Sequence, residues 1–125
     1  MCNTVVKTLG EDTVVLVCGG RNYKDSRRVF EELDALEPTL VIEGGASGAD
    51  QLAFRWAQAR QVPVITHFAN WKALGRAAGP IRNGEMLARW KPNVVLAFPG
   101  GAGTANMVKQ AAEHGGIRVV HSAES

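Results

Sequence analysis

Short apolar, β-branched runs alternate along the chain with segments whose apolar residues recur at helical spacing. Thr13 to Cys18 is apolar on both faces, as a central parallel strand is, and Gly19-Gly20 ends it. Asp25 or Ser26 caps a helix carrying Val29, Phe30, Leu33 and Leu36 on one face, and Pro38 stops it. Thr39 to Ile42 reads as a second strand. Gly44-Gly45-Ala46-Ser47-Gly48 follows, then a helix with Ala49, Leu52, Ala53, Trp56 and Ala57 on one side. Val62 to Thr66 is a third strand. Residues 69–79 are the least regular stretch, with a short helical turn expected between Trp71 and Ala78. Pro80 suits the first turn of a helix running through Met86 and Leu87 to Trp90. Asn93 to Phe98 is a fourth strand with Pro99-Gly100-Gly101-Ala102-Gly103-Thr104 as its exit loop. The helix from Gly103 to Glu113 is expected to turn Val108, Ala111 and Ala112 inward. Gly115-Gly116 supplies a left-handed cap before a fifth strand, Ile117 to Val120. The ends, residues 1–11 and 122–125, are expected to fray, which leaves an ordered core of about 13–121.

Five strands with a helix between each pair form a βαβ series, which right-handed crossovers wind into a mainly parallel sheet with helices on both faces. The expected fold is a single α/β domain over residues 1–125, a doubly wound, three-layer, Rossmann-like sandwich with strand order 3-2-1-4-5. The flavodoxin-like order 2-1-3-4-5 is the alternative. In the first order the switch point falls between strands one and four. The exits Gly19-Gly20-Arg21 and Pro99 to Thr104 then share one crevice, with Gly44 to Asp50 alongside.

Composition narrows the class without naming a chemistry. The 125 residues are 46% hydrophobic and 21% charged, ordinary for a globular domain that needs no metal or disulfide staple. Fourteen Lys and Arg against twelve Asp and Glu leave a net charge of +2, too small for a nucleic-acid-binding field over the whole surface. No apolar run is long enough to span a membrane, and the first residues lack a signal-peptide pattern. Cys2 and Cys18 lack CxxC spacing and read as free thiols of a cytoplasmic protein, Cys18 as a buried strand residue. His67, His114 and His121 show no metal spacing, so no metal site and no required cofactor is expected.

The clustered glycines carry the candidate chemistry. A helix N-terminus exposes unpaired N–H groups that favour a phosphate, and glycine lets a backbone approach a ligand closely. Any one Gly pair is explained equally well by a tight βα turn; three on one sheet edge favour a ligand. There is no GxxxxGK[ST] and no GxGxxG, which argues against a triphosphate P-loop and an ordinary dinucleotide dehydrogenase. The candidate ligand-binding residues are Gly19, Gly20, Arg21, Gly44, Gly45, Ala46, Ser47, Gly48, Asp50, Trp71, Arg76, Arg82, Asn83, Pro99, Gly100, Gly101, Gly103 and Thr104. Ser47 and Thr104 would add hydroxyl donors, and Arg21, Arg76 and Arg82 bidentate phosphate contacts. Asp50 would complement the dipole of its helix or accept a ribose hydroxyl, and it is the best candidate for a catalytic acid. Trp71 is open to stacking on a base, whereas Trp56 and Trp90 are read first as core.

Gly44-Gly45-Ala46-Ser47-Gly48-Ala49-Asp50, the Gly75 to Asn83 segment and Pro99-Gly100-Gly101-Ala102-Gly103-Thr104 together resemble the SLOG superfamily, which groups Rossmann-like domains related to LOG and DprA proteins. The similarity is greatest to its small YspA-like branch of bacterial and phage proteins. The resemblance implies a nucleotide or nucleotide-derived ligand held by the loops at 44–50 and 99–104. LOG enzymes cleave the glycosidic bond of nucleoside monophosphates with a glutamate pair, and the matching positions here are Asn106 and Met107. An amide cannot ionise, so the leading expectation is a binding module for a phosphorylated nucleotide-type ligand that senses, sequesters or processes it. A nucleotide hydrolase built on Asp50, with Arg82 and Asn83 orienting the substrate, comes second. DprA-like binding of single-stranded nucleic acid comes third and would draw on Arg76, Arg82, Arg89, Lys91 and Trp71. Self-association into a homo-oligomer, with Trp56 or Trp90 at the interface, is a further expectation.

Overall fold

A computed structural model describes residues 12–122. Cys2 and the expected fraying of residues 1–11 and 123–125 lie outside them. The five strands are β1 (Val14–Cys18), β2 (Leu40–Glu43), β3 (Val64–Thr66), β4 (Val94–Ala97) and β5 (Arg118–His121). All neighbouring pairs are parallel and the order is β3-β2-β1-β4-β5, so the Rossmann-like expectation holds and the flavodoxin-like alternative does not.

The helices are α1 (Ser26–Leu36), α2 (Ala49–Arg60), the single turn α3 (Trp71–Leu74), α4 (Ala78–Trp90) and α5 (Ala102–His114), with a 3₁₀ turn, Gly75–Ala77, between α3 and α4. Strand alternation sends Val15 and Val17 to one side, where they pack with Val29 and Leu33 of α1 and Leu52, Ala53 and Trp56 of α2. Leu16 points the other way, against Met86 and Leu87 of α4 and Met107 and Ala111 of α5. The result is a three-layer sandwich with a core on each face of the sheet.

Two details depart from the sequence pattern. The inward stripe of α5 is Met107 and Ala111, one turn apart, while Val108 is half-buried and Ala112 exposed. An alanine-rich helix offers little contrast to mark its face, and the long Met107 side chain is what fills the space against β4 and β5. Ser122 is not frayed: it is buried, its N–H donates to the Ala97 carbonyl (2.9 Å) and its hydroxyl to Glu32 (3.2 Å). Trp56 is buried in the core with its indole N–H on Asp34 (2.9 Å), so it is not available for an interface.

Asp25 caps α1 as expected, its carboxylate accepting from Arg28 N–H at 3.0 Å. At their C-terminal ends, α1, α2 and α4 each close on a non-glycine residue in the left-handed region: Glu37, Gln61 and Lys91. L-residues there cost free energy that glycine avoids. Gln61→Gly and Lys91→Gly are each expected to stabilise the fold by about 0.5–1 kcal/mol, after the entropy of a more flexible unfolded chain is subtracted. Chemical denaturation that gives an unchanged or lower midpoint for both variants would contradict this.

Candidate functional site

The C-terminal edge of the sheet opens into a cleft of about 980 Å³ at the switch point between β1 and β4. Its walls are the exits of four strands: Gly19–Tyr23 after β1, Gly44–Ser47 with Asp50 after β2, Phe68, Ala69 and Trp71 after β3, and Pro99–Thr104 after β4. Gly79, Arg82, Asn83 and Met86 of α4 complete it. Of the eighteen candidate residues, only Gly48 and Arg76 do not line the cleft.

Gly48 instead lets the loops meet. Its φ is +77°, and a Cβ there would run into the backbone of Gly20 and Arg21. The Gly20 backbone is the junction: its N–H donates to Pro99 O (2.8 Å), and its carbonyl accepts from Tyr23 N–H (3.1 Å) and Ala49 N–H (3.2 Å). Ser47 spends its hydroxyl on the Arg21 carbonyl (3.0 Å) and so ties loops together. Gly100 packs on the Gly20 backbone with no room for a side chain. Gly101 and Gly103 differ: nothing stands within 4 Å of where their Cβ atoms would be, and neither has positive φ. The fold does not demand glycine there. No side chain caps α5 either, and Gly101, Ala102, Gly103 and Thr104 at its start line the cleft.

The loop after β2 is built differently. Its three consecutive N–H groups are already taken by carboxylates: Gly44 and Ala46 donate to Asp50 Oδ2 (3.1 Å each) and Gly45 to Glu43 Oε1 (2.6 Å). Thr66 donates its hydroxyl to the other Glu43 oxygen. Glu43 is 2% exposed and Asp50 6%. Burial pushes Asp50 up to about 6, with the nearby Glu43 charge adding to the rise and the loop N–H groups and Arg82 opposing it. Burial likewise raises Glu43. Burial, with Asp50 contributing, holds the half-buried Cys18 thiol at about 12, so it stays un-ionised at neutral pH.

Arg82 and Asn83 bridge the acidic loop and the α5 start. Arg82 Nη1 donates to Gly44 O (2.8 Å) and its Nε to Asn83 Oδ1 (3.2 Å). Asn83 Nδ2 in turn donates to Gly103 O (3.3 Å) and Asn106 Oδ1 (3.1 Å), and Gln110 donates to that same Asn106 oxygen (2.7 Å). Met107 is core. At the β3 end two aromatic rings flank the opening: Phe68, 70% exposed, lies against Gly45, and Trp71, 55% exposed, rests on Gly79.

Sequence reasoning missed Glu43 and Phe68. An acid continuing an apolar strand into Gly44-Gly45 was the signal for the first; an aromatic just past a strand has no signature that separates wall from core. The basic set proposed for a nucleic-acid groove is not gathered. Arg76 lies outside the cleft walls, Arg89 stacks on Trp90 (4.9 Å), and both Arg89 and Lys91 sit at the end of α4 away from the cleft. Trp90 donates to His67 Nδ1 (3.2 Å), whose Nε2 meets Glu85 (3.2 Å). Among the described residues no three His, Cys, Asp or Glu side chains gather as a metal site, and no helix is long and apolar enough to cross a membrane.

The model of the YspA, cpYpsA-related SLOG family matches residues 13–74, which contain β1, the acidic loop and both exposed aromatics. The chain is also 38% identical over 119 residues to the gene 61 protein of Mycobacterium phage D29, covering 86% of this chain and 94% of that protein. The chain belongs to the YspA, cpYpsA-related SLOG family. Membership suggests a nucleotide-related ligand, bound or processed.

Because Asp50 is pushed upward from its ordinary value of 3.8, the folded state takes up a proton that the unfolded state does not between about 6 and about 4. Stability is therefore expected to rise as pH falls through 6, by up to about 3 kcal/mol from Asp50, with Glu43 acting in the same direction. Thermal unfolding across that window tests it, and Asp50→Asn should flatten the slope. A wild-type midpoint that falls over the same interval would refute the assignment.

Proposed function

We propose that this cleft binds a phosphorylated nucleotide-type ligand, with a phosphate on the α5 N-terminus and the base beside Phe68 and Trp71. The observation that carries the reading is the pair of open glycines, Gly101 and Gly103, at an uncapped helix start in the cleft wall. Such a terminus offers aligned N–H donors and partial positive charge, and glycine leaves space for an anion to reach them. Arg82 Nη2, without a protein partner among the described residues, adds a cation on the same cleft. The α2 start is the poorer phosphate site, because Ala49 N–H is spent on Gly20 and Asp50 stands in its first turn. The domain then senses, sequesters or processes the ligand without a resident cofactor.

Gly101→Asp puts an anion into the phosphate position where the fold has room for it. The variant should keep the wild-type unfolding midpoint and lose affinity by roughly a hundred-fold or more. Wild-type protein at a hundred times the dissociation constant of a bound nucleotide gains about 2.7 kcal/mol, close to a 10 °C rise in midpoint. A nucleotide that still produces that rise with Gly101→Asp would sink the proposal.

A hydrolase is the second reading, favoured by Asp50 itself: a buried carboxyl on the cleft floor, pushed up to about 6, is in the range of a general acid. It requires release of base or phosphate on incubation with nucleoside phosphates. That turnover should drop at least ~100-fold in Asp50→Asn; equal turnover in the variant removes Asp50 from the chemistry.

A further inference from the structure

We infer that the ligand carries a ribose whose free hydroxyls donate to Asp50, so that the cleft selects ribonucleotides over sugars lacking both the 2′- and 3′-hydroxyl. This rests on the nucleotide reading above and narrows it to a sugar class.

Asp50 presents one occupied and one bare oxygen. Its Oδ2 holds the Gly44 and Ala46 N–H groups, whereas Oδ1 has no partner among the described residues although the side chain is only 6% exposed. A buried acceptor left bare is costly, and Asp50 lines the cleft, where a ligand can reach it. Glu43 offers no such acceptor, because Gly45 and Thr66 occupy both its oxygens.

Strand order fixes what part of a nucleotide meets that oxygen. Going β3, β2, β1, β4, the cleft presents the exposed aromatics first, then Asp50, then Gly20, then the open glycines before α5. At about 4.8 Å per strand, the outer exits are some 14 Å apart. A nucleotide laid along this line has its base on Phe68 and Trp71, its phosphates at Gly101 and Gly103, and its sugar over Asp50.

The charges around Asp50 select a neutral donor there. Glu43 faces it from β2, Arg82 stands near it from α4 without forming an ion pair, and the un-ionised Cys18 thiol approaches from β1. Two carboxylates repel a phosphate, and with Glu43 fully engaged a metal ion would find too few ligands. A hydroxyl group gives a hydrogen bond to an ionised acceptor without adding charge.

The test titrates wild-type protein with ADP, GDP, CDP and UDP and with their 2′,3′-dideoxy counterparts. The ribose form of whichever nucleotide binds should bind roughly ten- to a hundred-fold more tightly than its dideoxy form. Asp50→Asn should reduce that ratio to a few-fold. In the wild type the ratio should also shrink as pH falls through about 6, because protonation removes the ionised acceptor. The phosphates of both forms titrate alike, so the ratio isolates Asp50 even if the variant does not fold. Equal affinities, or a ratio flat across that pH window, overturn the sugar assignment and leave the nucleotide reading standing. Failure of all eight compounds to bind overturns both.

Discussion

The cleft depends on the backbone of one residue, Gly20. Its N–H and carbonyl join the β1 exit to the β4 loop and to the start of α2, at 2.8 and 3.2 Å. Three loops that would otherwise wander independently are thereby held at one height above the sheet. The close approach excludes side chains at Gly48 and Gly100, because each would meet the backbone of this junction. Glycine here is a condition of assembly. Once that requirement is met, Gly101 and Gly103 stand out as glycines that nothing in the protein needs, and it is on these that the ligand reading rests.

Around this junction the two helix starts have opposite characters. At α2 the protein supplies its own anions: Asp50 and Glu43 fold the Gly44–Ala46 turn around themselves, so its N–H groups face inward. At α5 no side chain caps the N–H groups. Two glycine-rich loops that look alike as strings of letters thus differ in how their N–H groups are met, one set by carboxylates of the protein and the other by no side-chain cap.

Much of the architecture was legible because it is written in local patterns. All-apolar strands, Gly exits and single-face helices gave five strands, the observed order was the first choice of two that a βαβ series allows, and Trp56 announced itself as core through its spacing with Leu52 and Ala53. The crevice followed from that order, since it places the β1 and β4 exits side by side. What escaped was tertiary. Whether a glycine is wanted for its turn, its neighbour or its emptiness depends on where a Cβ would point. Glu43 drew no notice because its partners, Gly45 and Thr66, are set by the register of β2 against β3. The face of α5 escaped because alanines do not announce a direction, and Arg76 was grouped with Arg82 by a sequence proximity that the 3₁₀ turn before α4 undoes.

The amides of Asn83, Asn106 and Gln110, which clamp α4 to the beginning of α5, carry no charge. Their bonds are indifferent to acidity and little affected by salt, whereas the opposite wall is held by two buried acids that are not. The cleft therefore has one wall of constant geometry and one whose electrostatic character changes with its surroundings. As pH falls, the acidic wall would lose an ionised acceptor while the amide wall kept its shape.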